Sequence, residues 1–340
     1  MKKFRVLSLI FSVAAIAAFL IACSNPAGPG GNTLGNTGQT GGDNSQTTTY
    51  VYAAGFVNSN AMVWRNGEVL FNLGNGGALC VFVSGNDVYV AGWSWTSPGN
   101  STAVIWKNGV IYQTLGTGTA RAVVVSGNNV FAAGNCADSN AIVWKNGSVL
   151  YNLGPGWASS MYVSGTDVFV SGNSSVYVSG NNVNYGRIWK NGNVIHELGA
   201  AADVRSVFVS GNNVFAAGTI GGNPPIATLW TNGIPQAQCT VFSFAHSVFV
   251  SGNDVFVTGV RVTSYTPSGE GWGAVWKNNE LYQVMPGGHF FSVFASGGNV
   301  FAAGLDNHNG HAATVWNNGT VEHLNPNEIG EAHSVFVVER

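Results

Sequence analysis

The sequence predicts an all-β chain in which one four-stranded unit recurs around a closed ring. Three observations lead there. Trp followed two residues later by Asn occurs seven times, at Trp64, Trp106, Trp144, Trp189, Trp230, Trp276 and Trp316, with spacings of 38 to 46 residues. A Ser-Gly pair ends an apolar run six times, at Gly85, Gly127, Gly165, Gly211, Gly252 and Gly297. No long stretch of the mature chain carries a 3.6-residue apolar period, so helices are not expected. A period of this length matches a four-stranded propeller blade.

The elements of a unit follow in order. Ser-Val-Phe-Val-Ser, as at 247–251, is a first strand of alternating small and large residues. The Gly-Asn after it suits a type II′ turn, because glycine leads the central pair. Val-Phe-Val-Thr-Gly at 255–259 is a second strand, and a loop leads to a third strand ending in Val-Trp. The Asn-Gly of "WKNG" suits a type I′ turn. Leu-Tyr-Asn-Leu-Gly at 150–154 ends a fourth strand. Residues 78–330 hold six complete units. Residues 48–77 hold a second, third and fourth strand without a first, and His333–Glu339 offers a first strand alone. The expectation is a seven-bladed β-propeller of four-stranded blades over 48–340. The C-terminal strand joins the N-terminal three-stranded blade and closes it, removing exposed sheet edges at the seam. An open solenoid would leave these complementary ends unexplained.

Composition fits this picture. Glycine numbers 47, asparagine 38, and only 8% of residues are charged. Such a mixture favours short strands and tight turns. Residues 1–22 read as a targeting segment: Lys2, Lys3 and Arg5, then an apolar run too short for a stable span. Residues 24–47 are Gly, Asn, Thr and Ser with few apolar side chains. They read, with Cys23, as a flexible tether over 23–47 reaching about 25–30 Å. Loss of the leader leaves 10 Lys and Arg against 15 Asp and Glu, a net charge near −5 with no basic cluster. That argues against nucleic acid as partner. Cys80, Cys136 and Cys239 are too scattered for a disulfide framework or a zinc site. One disulfide or buried free thiols are expected.

Two resemblances add to this. Leu20-Ile21-Ala22-Cys23 resembles the lipobox of bacterial lipoprotein signals. The resemblance implies acylation at Cys23, with Ser24 in the place that implies outer-membrane sorting in enteric bacteria. The run Val-Trp-Lys-Asn-Gly to Leu-Tyr-Asn-Leu-Gly at 143–154 is similar to extracellular HAF repeats. The Ser-Val-Phe-Val-Ser-Gly-Asn-Asp segment at 247–254 departs from HAF and resembles NHL-type propeller repeats. Both imply architecture and carry no activity over.

Comparison of the repeats separates two faces. From the Ser-Gly glycine to the next conserved-position glycine is seven residues in every complete unit. From that glycine to the tryptophan the distance runs 9, 14, 10, 17, 12, 17 and 12. One face is therefore uniform tight turns, and the other carries variable loops, where binding usually resides. The stretch 173–186 repeats the strand-turn signature and suggests an extra hairpin.

The seven repeat tryptophans read as packing between sheets. Trp93, Trp95 and Trp272 fall in second-to-third loops, and Trp157 in a link between units. They either stack on sugars or anchor a protein partner, or fold back over their own loops. Leu79, Arg121, Ser159, Arg205, His246, Phe291 and His333 each precede the small residue that leads a first strand. Links converge on the channel mouth, so Arg121, Arg205, His246 and His333 read either as a polar pocket or as bonds holding the ring. His308 and His311 beside Asp306 make a weak metal pattern, and no metal is expected. Glu68, Asp87, Asp167, Asp254 and Glu280 read as solvated turn residues. No nucleophile elbow, phosphate loop or cofactor motif stands out.

The functional expectation is a monomeric, lipid-anchored binding protein of the cell envelope, at the outer membrane or cell surface. It presents its variable face to a glycan or protein. The reading leans against catalysis. The alternatives are a polysaccharide lyase or hydrolase acting at the channel mouth, and a structural or adhesive surface protein.

Overall fold

The computed structural model describes residues 47–97, 100–178, 180–238, 241–262 and 271–340. The leader, Cys23, Cys239 and all but the last residue of the tether lie outside the described residues. Within them the chain is all-β, with one short 3₁₀ turn at Asn307–Asn309.

The first twelve strands are β1 (Thr49–Val57), β2 (Asn60–Arg65), β3 (Glu68–Ser84), β4 (Asp87–Ser97), β5 (Asn100–Lys107), β6 (Val110–Ser126), β7 (Asn129–Cys136), β8 (Asn140–Lys145), β9 (Ser148–Ser164), β10 (Asp167–Val178), β11 (Asn181–Lys190) and β12 (Asn193–Ala200). The next eight are β13 (Ala202–Ser210), β14 (Asn213–Ile220), β15 (Ile226–Thr231), β16 (Ile234–Ala237), β17 (Ser243–Ser251), β18 (Asp254–Val262), β19 (Gly271–Lys277) and β20 (Glu280–Pro286). The last five are β21 (Gly288–Ser296), β22 (Asn299–Asp306), β23 (Ala312–Asn317), β24 (Thr320–His323) and β25 (Gly330–Glu339).

The turns have the geometry their residues demand. Asn146 and Gly147 both have positive φ, 51° and 84°, as a type I′ turn requires. Gly165 has φ 59° and Thr166 is not in the positive region, which fits type II′. The stretch 173–186 forms the extra hairpin, with Asn173 opposite Gly186 and Val178 opposite Asn181.

Seven separate blades were expected, and the sheets are arranged differently. The described residues form one 13-stranded sheet, from β12 through β1 to β25, and three four-stranded sheets, β13–β16, β17–β20 and β21–β24. The merger has a local cause. β3, β6 and β9 are each 17 residues long. The first half of β3 pairs with β2 and the second half with β4, so one strand serves two ladders. β6 and β9 do the same. Glycines at the corner, such as Gly116 (φ 99°) and Gly118 (φ 140°), turn the chain without ending the strand. β25 pairs antiparallel along the whole of β1, from Thr49 opposite Glu339 to Val57 opposite Gly330.

The first strands of the units are consecutive neighbours: β25, the second half of β3, then of β6 and β9, then β13, β17, β21 and β25 again. A repeated hydrogen bond stitches them. Val81 N–H donates to Ser334 Oγ at 3.1 Å, and Val248 N–H to Ser206 Oγ at 3.1 Å. Val293 and Val335 donate to Ser247 and Ser292, both at 3.2 Å. Val207 reaches Ser160 at 3.5 Å, and Val123 uses the Cys80 sulfur at 3.3 Å. At the remaining step the acceptor position is Ala122, which has no polar atom. The seven repeat tryptophans are all buried in the core between sheets.

Candidate functional site

The seven residues before the stitching position share one backbone feature. At Leu79, Arg121, Ser159, Arg205, His246, Phe291 and His333 the register slips by one, so each is the extra residue of a β-bulge. Bulges re-aim side chains. The partner strand carries glycine opposite each bulge, and a Cβ there would strike backbone. At Gly304 it would stand 1.8 Å from the His289 carbonyl oxygen, and at Gly218 2.1 Å from that of Asp203.

The bulged side chains gather at one place. The rings of His246 and Phe291 are 5.7 Å apart, and those of Phe291 and His333 stack at 5.3 Å. Arg121 feels the Arg205 charge across the strand of Ser159, and His246 feels Arg205 and His333. Leu79, Ser159, His246, Phe291 and His333 are buried, and the two arginines are half-buried. Together they form a floor.

Residues two positions earlier lie on the same strand face. They are Gly77, Thr119, Trp157, Asp203, Phe244, His289 and Glu331. Contact confirms the shared face: Asp203 Oδ2 accepts from Arg205 Nε at 2.8 Å, and Glu331 lies 3.4 Å from His333 Nε2. Six of the seven are half-exposed and make a rim above the floor. Gly77 has no side chain, and its slot is filled from the partner strand. Trp93 lies directly opposite, its Nε1 2.7 Å from where a Gly77 Cβ would stand.

Electrostatics divide this cup. Burial, followed by the nearby Arg205 charge, draws the Arg121 guanidinium down to about 10, against the pull of Asp203. Its Nε donates to Asn135 Oδ1 at 3.3 Å. Burial keeps His246 far below the ordinary histidine range, helped by Arg205 and opposed by the Phe290 carbonyl bonded to Nδ1 at 2.8 Å. Burial pulls His333 down to about 3 and pushes Glu331 up to about 7. His333 Nδ1 is buried and has no hydrogen-bond partner among the described residues. Positive charge at the mouth therefore sits on the arginine side, and the imidazoles of the floor are neutral.

The structure sorts the candidates. Arg121, Arg205, His246 and His333 meet in the floor, and Trp93 and Trp157 stand in the rim. Trp95 is 42% exposed and edge-to-face with Trp93 at 5.1 Å. Trp272 pairs across strands with Arg261 and Pro286. Trp93, Trp95 and Trp272 were expected in second-to-third loops and Trp157 in a link between units, and all four lie on strands. Trp93 and Trp95 are on β4, Trp157 on β9 and Trp272 on β19, because the hairpins extend as strand where loops were read.

Asp306 organises the end of its own hairpin instead of a metal site. Its carboxylate accepts from His308 N–H at 2.9 Å and Asn309 Nδ2 at 2.6 Å, and His323 Nε2 lies 2.9 Å away. Burial pushes this carboxyl up, and the bonds from Asn309, His323 and His308 outweigh it and hold it low. No group of three metal-ligating side chains occurs among the described residues. Cys136 is a free thiol, whereas Cys80 is disulfide-bonded.

Sequence reasoning missed the role of the repeated asparagine. Its Oδ1 accepts from the N–H of a valine near the start of the second strand in all seven units, for example from Val130 to Asn146 at 2.8 Å. Its Nδ2 bonds an Asp or Asn of the adjacent turn in six units, as Asn146 bonds Asn129 at 3.0 Å. Asp87, Asp167 and Asp254 also pair with Lys107, Lys190 and Lys277 at 2.8–2.9 Å, so these are tied turn residues. The constant Trp-x-Asn spacing was the available signal.

No family model and no curated protein matches this sequence. Solved structures match in fold. The β-propeller domain of the Trilobed protease from Pyrococcus furiosus, which has an open velcro topology, aligns with a TM-score of 0.51 and 10% identity over 82% of this chain and 94% of that one. Apo AztD from Citrobacter koseri aligns at 0.44 and 11% identity, over 86% and 98%. Prolyl oligopeptidase B from Galerina marginata aligns at 0.45 and 11%, over 84% of this chain and 52% of that one. The first of these supports the fold and nothing finer. The chain is an all-β protein of the β-propeller type.

Proposed function

We propose that the chain is a seven-bladed β-propeller acting as a lipid-anchored binding protein of the bacterial cell envelope, with the channel-mouth cup as its ligand site. Four-strand ladders support the blade count. β25–β1–β2–β3 is one, and each later first strand opens another. Pairing of β25 with β1 and the ring of first strands support closure. Anchoring through Cys23 rests on the lipobox resemblance. One observation carries the binding reading. A half-exposed rim holding Trp157, Phe244 and the inserted Trp93 surrounds a floor with two half-buried arginines. Aromatic planes beside polar donors suit a glycan. The opposite face is fixed by asparagine and lysine bonds in its turns.

The test is a broad glycan array with the whole chain and with Trp93→Ala and Trp157→Ala variants of unchanged far-UV spectrum. Binding that falls at least tenfold in both variants supports the site. Absence of any glycan signal overturns the glycan reading.

A further inference from the structure

Three consecutive first strands build one corner of the cup. β6 supplies Arg121, β9 supplies Trp157 and Ser159, and β13 supplies Asp203 and Arg205. The two guanidiniums lie on either side of the strand that carries the indole. Each is held. Asn135 accepts from Arg121 Nε, and Asp203 Oδ2 accepts from Arg205 Nε at 2.8 Å and lies 2.7 Å from Nη2. A planar guanidinium matches a planar carboxylate through two parallel bonds. Asp203 takes the Nε–Nη2 edge of Arg205 and offsets one of the two charges, so the corner keeps one net positive charge, which an anion lying between the two guanidiniums offsets. The half-exposed indole of Trp157 offers the ring surface that a saccharide needs. The other half of the cup differs. His246 and His333 are buried and uncharged, and Phe291 is 1% exposed. Charge recognition is thus confined to the β6–β9–β13 corner.

We propose that this corner is an acid-sugar subsite: it binds the carboxylate of a hexuronate residue between Arg121 and Arg205, with the sugar ring against Trp157. The inference rests on the glycan reading above and narrows it to carboxylated saccharides.

The experiment is calorimetric titration of the whole chain with an oligogalacturonate, its methyl ester, and a sulfated neutral oligosaccharide of equal length. Methyl esterification keeps the ring and removes the charge. The expected result is binding of the uronate at least tenfold tighter than the ester, weakened at least tenfold by Arg121→Gln or Arg205→Gln. Arg205→Lys retains the charge and is expected to recover part of the loss. The comparison of acid with ester uses the unaltered protein, so it stands even where a variant fails to fold. Equal affinity for acid and ester overturns the inference while leaving the glycan reading intact. So does binding of the sulfated sugar alone. No binding of these three sugars overturns the inference, and the array then decides separately whether the glycan reading fails as well.

Discussion

Replacing Glu331 by glutamine should change how stability depends on pH, with a sign fixed by the burial of this carboxyl. Its side chain is 21% exposed beside His333, which is 4% exposed. Burial raises the carboxyl from 4.5 to about 7 in the folded chain. The folded state therefore holds this proton more tightly than the unfolded chain. The stabilisation is fully present below pH 4.5 and is lost as pH rises through 7. At about 1.4 kcal/mol per pH unit, the loss is on the order of 3 kcal/mol. His333, pulled from 6.5 to about 3, works the other way. Its contribution is present above pH 6.5 and lost as pH falls through 3. The two slopes oppose each other between pH 4.5 and 6.5, and His246 and His289, which burial also holds low, add slope of the same sign as His333. Glu331→Gln removes one slope. Measured by urea unfolding at pH 4 to 8, the variant should gain about 3 kcal/mol relative to wild type across that range. Taking the difference cancels the titrating groups that do not touch Glu331. A difference that stays constant with pH would refute the reasoning. A variant that weakens relative to wild type as pH rises would also refute it, because Glu331 would then be ionised against a protonated His333.

Two stability predictions follow from the repeated bonds. Ala122→Ser supplies the missing acceptor at the step from β6 to β9 and should raise stability by about 0.5–1.5 kcal/mol in urea unfolding, the net worth of one hydrogen bond. No gain would mean that the neighbouring strands stand too far apart there. Asn146→Ala removes bonds to Val130 and Asn129 and leaves alanine at φ 51°. It should cost about 2–3 kcal/mol in the same assay, against less than about 0.5 kcal/mol for the exposed Ser148→Ala in the next strand.

Strands and turns were legible because their chemistry is local. Alternating Val and Phe, Asn-Gly pairs and a leading glycine each specify geometry within a few residues. Joined sheets were not legible, because the Leu-Gly-x-Gly corner that reads as a break at 115–118 keeps strand geometry through to Ser126. The hairpin tips misled for a related reason. Trp93 and Trp95, just after Gly92, were read as loop, whereas β4 extends to Ser97 and carries both. The floor was half visible. Its residue types vary from leucine to arginine, so no motif marks them, and only their place before a small residue singled them out. That the small residue is an acceptor from the next strand is a contact 42 to 47 residues away for neighbouring units, which no local pattern reveals.

The stitching bond has a bearing on how such a chain can diversify. At this contact each serine hydroxyl accepts from a backbone N–H of its neighbour, a group that every residue except proline supplies. A unit therefore imposes no side-chain requirement on the next one at this contact. Duplication, exchange or drift of whole units preserves the junction, while the residue just before it, aimed into the mouth by its bulge, is left open to change. Scaffold and specificity are inherited separately, one residue apart.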